Sequence, residues 1–142
     1  ESEIKLLRNY GYKLGLAYQV LDDVLDYDST SEELGKPAGN DLKEGVLTLP
    51  AIMLIEAEPE SNAVFDWFKS ARDARKSGSG EIDTGALDTA IAAVRASGFI
   101  DASRDVAQGM IDEARDSLSG MPQTTERAAL ETLADLTGGR RS

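Results

Sequence analysis

Four oxygen-bearing side chains recur at helical spacing in one short segment of the chain. They are Gln19, Asp22, Asp23 and Asp26. At about 100° per residue, all four fall within an arc of roughly 100° on one face of a helix. Carboxylates three and four residues apart repel each other by about 0.2–0.5 kcal/mol per pair. A bound divalent cation would remove this repulsion, so the pattern predicts a metal site with the three aspartates as ligands.

The type of cation follows from the residues that the chain lacks. The 142 residues contain no His and no Cys, which excludes structural zinc sites, thiol nucleophiles and Ser-His-Asp triads. Carboxylate oxygens favour hard cations, and we expect Mg²⁺, with Mn²⁺ as a substitute. An EF-hand calcium loop beginning at Asp26 is excluded, because its sixth and twelfth positions hold Ser31 and Pro37 instead of Gly and Glu. The alternative of a solvated acidic face without a metal stays open at this point.

A glycine-rich segment after the acidic residues is the second feature that could bind a ligand. Lys36 lies between Gly35 and Gly39, and Asn40 and Asp41 come next. Glycine lets the backbone approach a ligand closely, and a lysine ammonium group can contact a phosphate. The segment therefore predicts a phosphate contact at Lys36. A Gly/Pro loop with a solvated lysine is the simpler alternative.

The charge balance limits the classes of partner. The chain has 15 basic and 26 acidic residues and a formal net charge of −11. Such a chain repels phosphate backbones and anionic lipid, so we expect no nucleic-acid partner and no binding to a membrane surface. Its apolar runs are only a few residues long, whereas a transmembrane helix needs about 20. We therefore predict no transmembrane segment and expect a cytoplasmic protein.

The spacing of apolar residues predicts an all-α fold. Apolar positions recur every three or four residues, as in Leu7, Leu14, Leu21 and Val24 of the first helix. No segment shows the period of two that marks a strand. The predicted helices span residues 3–27, 48–58, 60–76, 87–97, 100–118 and 124–136. Residues 28–40 are predicted to form a long loop, residues 77–80 a flexible loop between helices and residues 138–142 a tail.

Together, the acidic and glycine-rich motifs resemble the trans-polyprenyl diphosphate synthase family. The resemblance rests on Gln19-x-x-Asp22-Asp23-x-x-Asp26, on Gly35-Lys36-Pro37-Ala38-Gly39-Asn40-Asp41-Leu42-Lys43-Glu44-Gly45 and on Thr48-Leu49-Pro50. It covers nearly the whole chain, but only the C-terminal half of the family's length. It implies the all-α isoprenoid synthase-type helical bundle, of which residues 1–142 would form the C-terminal part of a single domain.

The resemblance implies an enzyme, a prenyltransferase. Such an enzyme joins an allylic prenyl diphosphate to isopentenyl diphosphate head to tail with the help of Mg²⁺. By the same resemblance, the protein would act as a homodimer. Gln19 would lie beside the reacting carbons or the diphosphate.

The resemblance also implies roles for the remaining motif residues. Asp22 would bind one Mg²⁺ directly, and Asp23 and Asp26 would support that ion directly or through water. Lys36 would contact the allylic diphosphate. Asp41 would order the loop or the water shell of the metal.

Two departures from the family pattern limit the implied activity. The family uses two aspartate-rich motifs on facing helices and only the second is present in these 142 residues, so we expect this chain alone to be inactive. Val46 stands where many members have Lys or Arg, and Lys43 is the nearest alternative cation. The alternative is a noncatalytic subunit of a heteromeric prenyl synthase that binds Mg²⁺-diphosphate or dimerises. A terpenoid cyclase ranks last, because the Asn, Ser and Glu of the usual cyclase magnesium motif are not evident.

Two further expectations concern packing. Trp67 is expected to lie in the core together with Phe65 and Phe68. Leu14, Leu21 and Val24 are expected to expose an apolar face, because a bundle with half of its helices leaves that face uncovered.

Overall fold

The computed structural model describes residues 2–28, 39–78 and 83–139, most of which are helical. Seven helices occur within these ranges: α1 Ser2–Asp28, α2 Asn40–Glu44, α3 Leu49–Ala57, α4 Ala63–Ser77, α5 Thr84–Ala96, α6 Phe99–Leu118 and α7 Thr125–Gly138. The described part of the chain contains no strand. The predicted all-α class is therefore confirmed.

Capping side chains explain where three of the helices begin. The Asn62 side chain accepts a hydrogen bond from the Phe65 N–H at 3.0 Å, so α4 starts later than the predicted residue 60. The Asp83 carboxylate and the Thr124 hydroxyl cap α5 and α7 in the same way. Each cap satisfies a backbone N–H that the first turn of a helix leaves without a partner.

Other differences from the sequence prediction concern one predicted loop, the predicted tail and one short helix. Of the predicted loop 77–80, Ser77 is instead the last residue of α4 and Gly78 ends that helix with a φ of 67°, while residues 79 and 80 lie outside the described ranges. Gly138, predicted to begin the tail, is the last residue of α7, and residues 140–142 lie outside the described ranges. The short helix α2 lies between the predicted helices 3–27 and 48–58, where no helix was predicted.

The first of two compact units consists of residues 1–22 and 103–142. One face of α1 packs there against α6 and α7. The buried apolar side chains of this core are Tyr10, Ala17, Leu21, Ala107, Ile111, Ala114, Leu118 and Ala134. The Tyr10 hydroxyl donates a hydrogen bond to the Leu130 carbonyl at 2.7 Å, which ties α1 to α7.

The second compact unit consists of residues 23–102 and contains α2 to α5. Trp67, Tyr27 and Leu42 are among its largest fully buried side chains. Trp67 thus lies in the core, as predicted. The prediction was wrong for Phe65, which is 41% exposed, whereas Phe68 is half-buried and packs against this core.

The expected exposed apolar face of α1 is also corrected by the structure. Leu21 packs into the core of the first unit and Val24 into that of the second, so both side chains are buried. Leu14 is half-buried and packs against the core of the first unit. Other large apolar side chains of α1 are exposed instead: Ile4, Leu7, Tyr12 and Tyr18.

Within the described ranges, no helix combines the length and the apolar character that are needed to cross a membrane. The longest helix, α1, has 27 residues. Charged side chains interrupt it along its length, among them Lys5, Arg8 and Lys13.

Tyr10 provides a test of the first unit. Burial raises the pKa of its phenol, so above pH 10 the unfolded chain loses this proton more readily than the folded one. At pH 7, Tyr10→Phe should lower the free energy of unfolding by about 1 kcal/mol, because the bond to Leu130 is lost. The difference between wild type and Tyr10→Phe should shrink as the pH rises above about 10. Urea unfolding of both proteins at several pH values measures this difference in the free energy of unfolding.

Tyr12 offers a matched control, because it lies on the same helix and is 63% exposed. Tyr12→Phe should leave the free energy of unfolding unchanged within about 0.5 kcal/mol at each pH. A Tyr10→Phe difference that stays constant from pH 7 to 11 would contradict the assignment.

Candidate functional site

The four predicted side chains of the acidic motif lie on one continuous helix, α1. They therefore share one face, as the spacing predicts. Their exposure differs along that face. Gln19 and Asp22 are exposed, Asp23 is half-buried, and Asp26 is buried with 2% of its surface accessible. The carboxylates of the motif are thus not equivalent.

Asp26 is buried because it holds the first turn of α2. Its carboxylate Oδ2 accepts a hydrogen bond from the Asp41 N–H at 3.0 Å, and its carbonyl accepts one from the Gly39 N–H at 2.7 Å. The N-cap of α2 is Gly39, which has no side chain to cap the helix. The carboxylate of Asp26 takes over that role from a different helix, where it also meets the positive end of the α2 dipole.

Gly39 is required at this position for two reasons. Its φ of 71° lies in the left-handed region that favours glycine. In addition, a Cβ atom on Gly39 would collide with the Ile91 side chain of α5. The absence of a side chain allows the close packing, and it creates the need for the cap from Asp26.

A second long-range hydrogen bond fixes α2 from its other side. The Trp67 indole N–H donates to the Leu42 carbonyl at 2.9 Å, and both residues are buried. A helix of five residues is far below the length of roughly 12–15 residues at which isolated helices become even marginally stable. The existence of α2 therefore depends on these contacts with α1 and α4.

The C-terminal end of α1 receives a cation from α5. The last turn of α1 contains no basic residue, although Asp26 and Asp28 lie there. The Arg95 guanidinium Nε donates a hydrogen bond to the Tyr27 carbonyl at 2.6 Å. Arg95 thus supplies the positive charge that stabilises the carbonyl end of a helix.

Tyr27 is a buried residue of this site that the sequence analysis missed. Burial, together with the nearby carboxylates of Asp26, Asp41 and Asp23, raises the pKa of its phenol to about 12. The Thr48 hydroxyl acts in the opposite direction as a nearby hydrogen-bonding group. The two hydroxyls are nevertheless outside ordinary hydrogen-bond geometry, and among the described residues neither has another partner. The acidic residues therefore surround a phenol that stays neutral.

The donor groups suit a magnesium ion that shares its coordination with a substrate. In the described part of the chain, no three acidic side chains converge as a preformed metal cage. Magnesium is usually held by one or two carboxylates, and waters and substrate phosphates complete its octahedron. Asp22 and Asp23 are the accessible carboxylates of the acidic motif, and they fit this partial ligand set. Asp26 supports them through its place in the fold.

The structure brings some of the predicted site residues together. Asp26 and Asp41 are in direct contact through the backbone of Asp41. Asp22, Asp23 and Gln19 share the face of α1 but differ in exposure. Lys36 lies outside the described residues, and its predicted phosphate contact stays a prediction.

Comparison with known proteins identifies the family. The family model described as "Polyprenyl synthetase" matches residues 1–79. The chain belongs to the polyprenyl synthetase family. The match includes α1 with its acidic face, α2, α3 and α4.

Curated relatives of this polyprenyl synthetase chain are diphosphate synthases. Solanesyl diphosphate synthase 1 of Arabidopsis thaliana is 36% identical over 87% of the chain, which covers 28% of that protein. Heptaprenyl diphosphate synthase component 2 of Bacillus subtilis is 31% identical over 96% of the chain, covering 36% of the relative. Octaprenyl diphosphate synthase of Escherichia coli is 35% identical over 94% of the chain, covering 39% of the relative. The chain therefore spans well under half the length of these relatives.

Solved structures agree with the family assignment. A decaprenyl diphosphate synthase from Rhodobacter capsulatus aligns over 100% of the chain and 42% of its own, with 33% identity and a TM-score of 0.78. A polyprenyl synthase from Caulobacter crescentus aligns over 97% of the chain and 40% of its own, with 37% identity and a TM-score of 0.71. The latter structure was determined with calcium and isoprenyl diphosphate. The predicted fold, part of the polyprenyl synthase helical bundle, is confirmed.

The capping role of Asp26 can be tested against Asp22. Asp26→Ala should lower the free energy of unfolding by about 1–2 kcal/mol, because the first turn of α2 loses its cap. Asp22→Ala should change it by less than about 0.5 kcal/mol, since Asp22 is exposed. Urea unfolding measures both changes. Asp26→Asn keeps an oxygen acceptor and should lower the free energy of unfolding by less than Asp26→Ala does. If Asp22→Ala and Asp26→Ala lowered it equally, the capping role would be excluded.

The bond from Trp67 to α2 gives an independent test. Trp67→Phe should lower the free energy of unfolding by about 1–3 kcal/mol, because it leaves the buried Leu42 carbonyl without its donor and removes core volume. Phe65→Leu on the same helix should cost less than about 0.5 kcal/mol, since Phe65 is partly exposed. Amide hydrogen exchange of residues 40–44 should quicken in Trp67→Phe and stay unchanged in Phe65→Leu. Unchanged exchange in both variants would contradict the proposed dependence of α2 on Trp67.

Proposed function

We propose that the protein is a prenyltransferase that makes polyprenyl diphosphates. An allylic prenyl diphosphate would react with isopentenyl diphosphate in a Mg²⁺-dependent head-to-tail condensation. The observation that carries the proposal is the acidic face of α1, where Asp22 and Asp23 remain accessible while Asp26 is held in place by α2. Membership of the polyprenyl synthetase family supports this assignment of the reaction.

The reaction breaks one bond and forms another. The C–O bond between the allylic carbon and its diphosphate breaks, and the diphosphate leaves with the electron pair. The double bond of isopentenyl diphosphate then forms a C–C bond to the allylic carbon, and loss of a proton regenerates a double bond. Because negative charge develops on the leaving diphosphate, preorganised positive charge at that position lowers the barrier.

The residues of α1 and of the segment after it would bind and orient the diphosphate. Magnesium, when bound, supplies the positive charge that offsets the charge of the leaving group. Asp22 and Asp23 would hold it, Gln19 would lie beside the diphosphate or the reacting carbons, and Lys36 would contact the diphosphate. Asp41 would contribute through its backbone, which anchors α2 to Asp26. Turnover would need further groups beyond these 142 residues, so we propose that this stretch alone is inactive.

The proposed assembly is a homodimer in the cytoplasm. The dimer follows from the resemblance to the family. Several relatives, such as solanesyl diphosphate synthase 1 of Arabidopsis thaliana, carry "chloroplastic" in their names. Fractionation of the cells that make the protein therefore tests the proposed location.

A second candidate function is that of one subunit in a heteromeric synthase. The observation that favours it is the similarity to a relative named "component 2" in Bacillus subtilis. In that case the protein would bind Mg²⁺-diphosphate and turn over substrates only after a second protein is added. Turnover by the purified full-length gene product without a partner would exclude this candidate.

Metal-dependent binding of diphosphate tests the proposed site. Asp22→Asn should weaken the binding of inorganic diphosphate in the presence of Mg²⁺ by about tenfold or more, which corresponds to about 1.4 kcal/mol. The fold should be retained, because Asp22 is exposed. Isothermal titration calorimetry with and without Mg²⁺ measures the effect.

Asp88 on α5 offers a matched control for the charge change. It is exposed, and in the sequence it is far from the residues of the acidic motif. Asp88→Asn should leave the affinity within about twofold, since exposed charges at a distance are screened by salt. An unchanged affinity in Asp22→Asn would exclude Asp22 as a metal ligand.

A further inference from the structure

A groove between α2 and α4 in the second unit concentrates positive charge. It has a volume of about 560 Å³. Its cationic lining residues are Lys43, Lys69, Arg72 and Arg75, and its acidic ones are Glu44 and Asp66. The excess of cations contrasts with the formal net charge of −11 of the whole chain. This α2–α4 groove is therefore a local exception to the acidic character of the protein.

Three of the cations form a row along α4. Lys69, Arg72 and Arg75 are each three residues apart, and side chains at this spacing are neighbours on a helix surface. Like charges in such a row repel one another, and a bound anion would relieve the repulsion. Lys43 adds a fourth cation from α2, on the opposite wall.

The fold does not account for this cluster by other means. Arg75 lies in the last turn of α4, where the helix dipole favours a cation, but Lys69 lies in the middle of that helix. Within the described ranges, Lys43, Lys69 and Arg75 form no ion pair. Arg72 has a 3.7 Å contact with the adjacent Asp73, and both side chains are more than half exposed. Such an exposed contact contributes little to stability.

Aromatic side chains lie beside the cations. Phe65 is 41% exposed and Phe68 is half-buried, and both line the groove on the same face of α4. On the other wall, a Cβ atom on Gly45 would lie 3.9 Å from the Phe68 ring, so the backbone passes close to this aromatic surface. The groove thus combines a cationic part with an apolar part.

The two walls of the groove are held in a fixed relation. The Trp67 indole N–H on α4 donates to the Leu42 carbonyl on α2, and this bond is buried beneath the groove. A ligand would therefore meet a preformed surface, which reduces the entropy that binding costs. The volume also lies within the range of about 300–1,000 Å³ that is typical of small-molecule sites.

We propose that the α2–α4 groove binds an organic diphosphate, a molecule in which a diphosphate carries an apolar or aromatic group. The diphosphate would lie between Lys43 on α2 and the row of Lys69 and Arg72 on α4. The apolar group would lie against Phe65 and Phe68. Because the protein itself supplies the cations, binding here needs no metal ion, unlike binding at the acidic face of α1.

The position of the groove gives binding a consequence for the fold. Lys43 is two residues from Asp41, whose backbone is bound by Asp26. A ligand that bridges Lys43 and α4 would therefore stabilise the packing of α2 on both α1 and α4. A ligand in the groove would therefore also stabilise the hydrogen bond from the Asp41 N–H to Asp26 of the acidic motif.

Calorimetric titration in EDTA tests the proposal with three probes: farnesyl diphosphate, ADP and inorganic diphosphate. EDTA removes the metal-dependent binding on α1, so failure of the proposed function and failure of this inference are distinguishable. At least one of the two organic diphosphates should bind, at least fivefold more tightly than inorganic diphosphate. The tighter of the two identifies the source, a prenyl chain or a nucleoside. No binding of either organic diphosphate would overturn the proposal.

Two double variants with equal changes in net charge separate the groove from general electrostatics. Lys69→Ser with Arg72→Ser should weaken binding at least tenfold. Lys5→Ser with Arg8→Ser, at exposed positions near the start of α1, should weaken it no more than twofold. Equal weakening by both pairs would overturn the proposal. Circular dichroism verifies that each variant retains its helices, which the exposed positions of all four residues lead us to expect.

Discussion

The hydrogen bond from the Asp41 backbone to the buried carboxylate of Asp26 is the contact on which the arrangement of this site depends. It supplies the cap that Gly39 lacks, and it holds a five-residue helix that is too short to persist alone. Since Trp67 binds the same helix from α4, α2 is fixed on two sides. The acidic helix and the glycine-rich segment of the polyprenyl synthetase motif are therefore coupled in structure as well as in sequence.

This contact also divides the aspartates of one helix face into two kinds. A helical wheel treats Asp22, Asp23 and Asp26 alike, since spacing is all that it describes. In the structure, Asp26 is desolvated and receives a backbone N–H at the positive end of α2, whereas Asp22 faces solvent. Repulsion along the face is thereby reduced at one end without a metal ion. The accessible end is left with the stronger tendency to bind a cation.

Local patterns predicted the parts of the fold that local forces determine. The apolar spacing of α1 predicted both of its ends to within one residue, and the shared face of the acidic residues followed from the same period. Helix α2 could not be predicted in this way, because five residues show no periodicity and its two supports lie 15 and 25 residues away in sequence. The burial of Tyr27 beside Thr48 and the exposure of Phe65 likewise depend on tertiary packing. The type of residue alone determines neither the burial of Tyr27 nor the exposure of Phe65.

The place of Trp67 in the core has a spectroscopic consequence. It is the single tryptophan of the 142 residues, and its indole N–H is buried in the bond to Leu42. One resonance in a proton NMR spectrum thus belongs to the contact that joins α2 to α4. The rate at which that proton exchanges with solvent reports how often α2 separates from the core. The molecule therefore carries a native probe of its smallest helix, without any label.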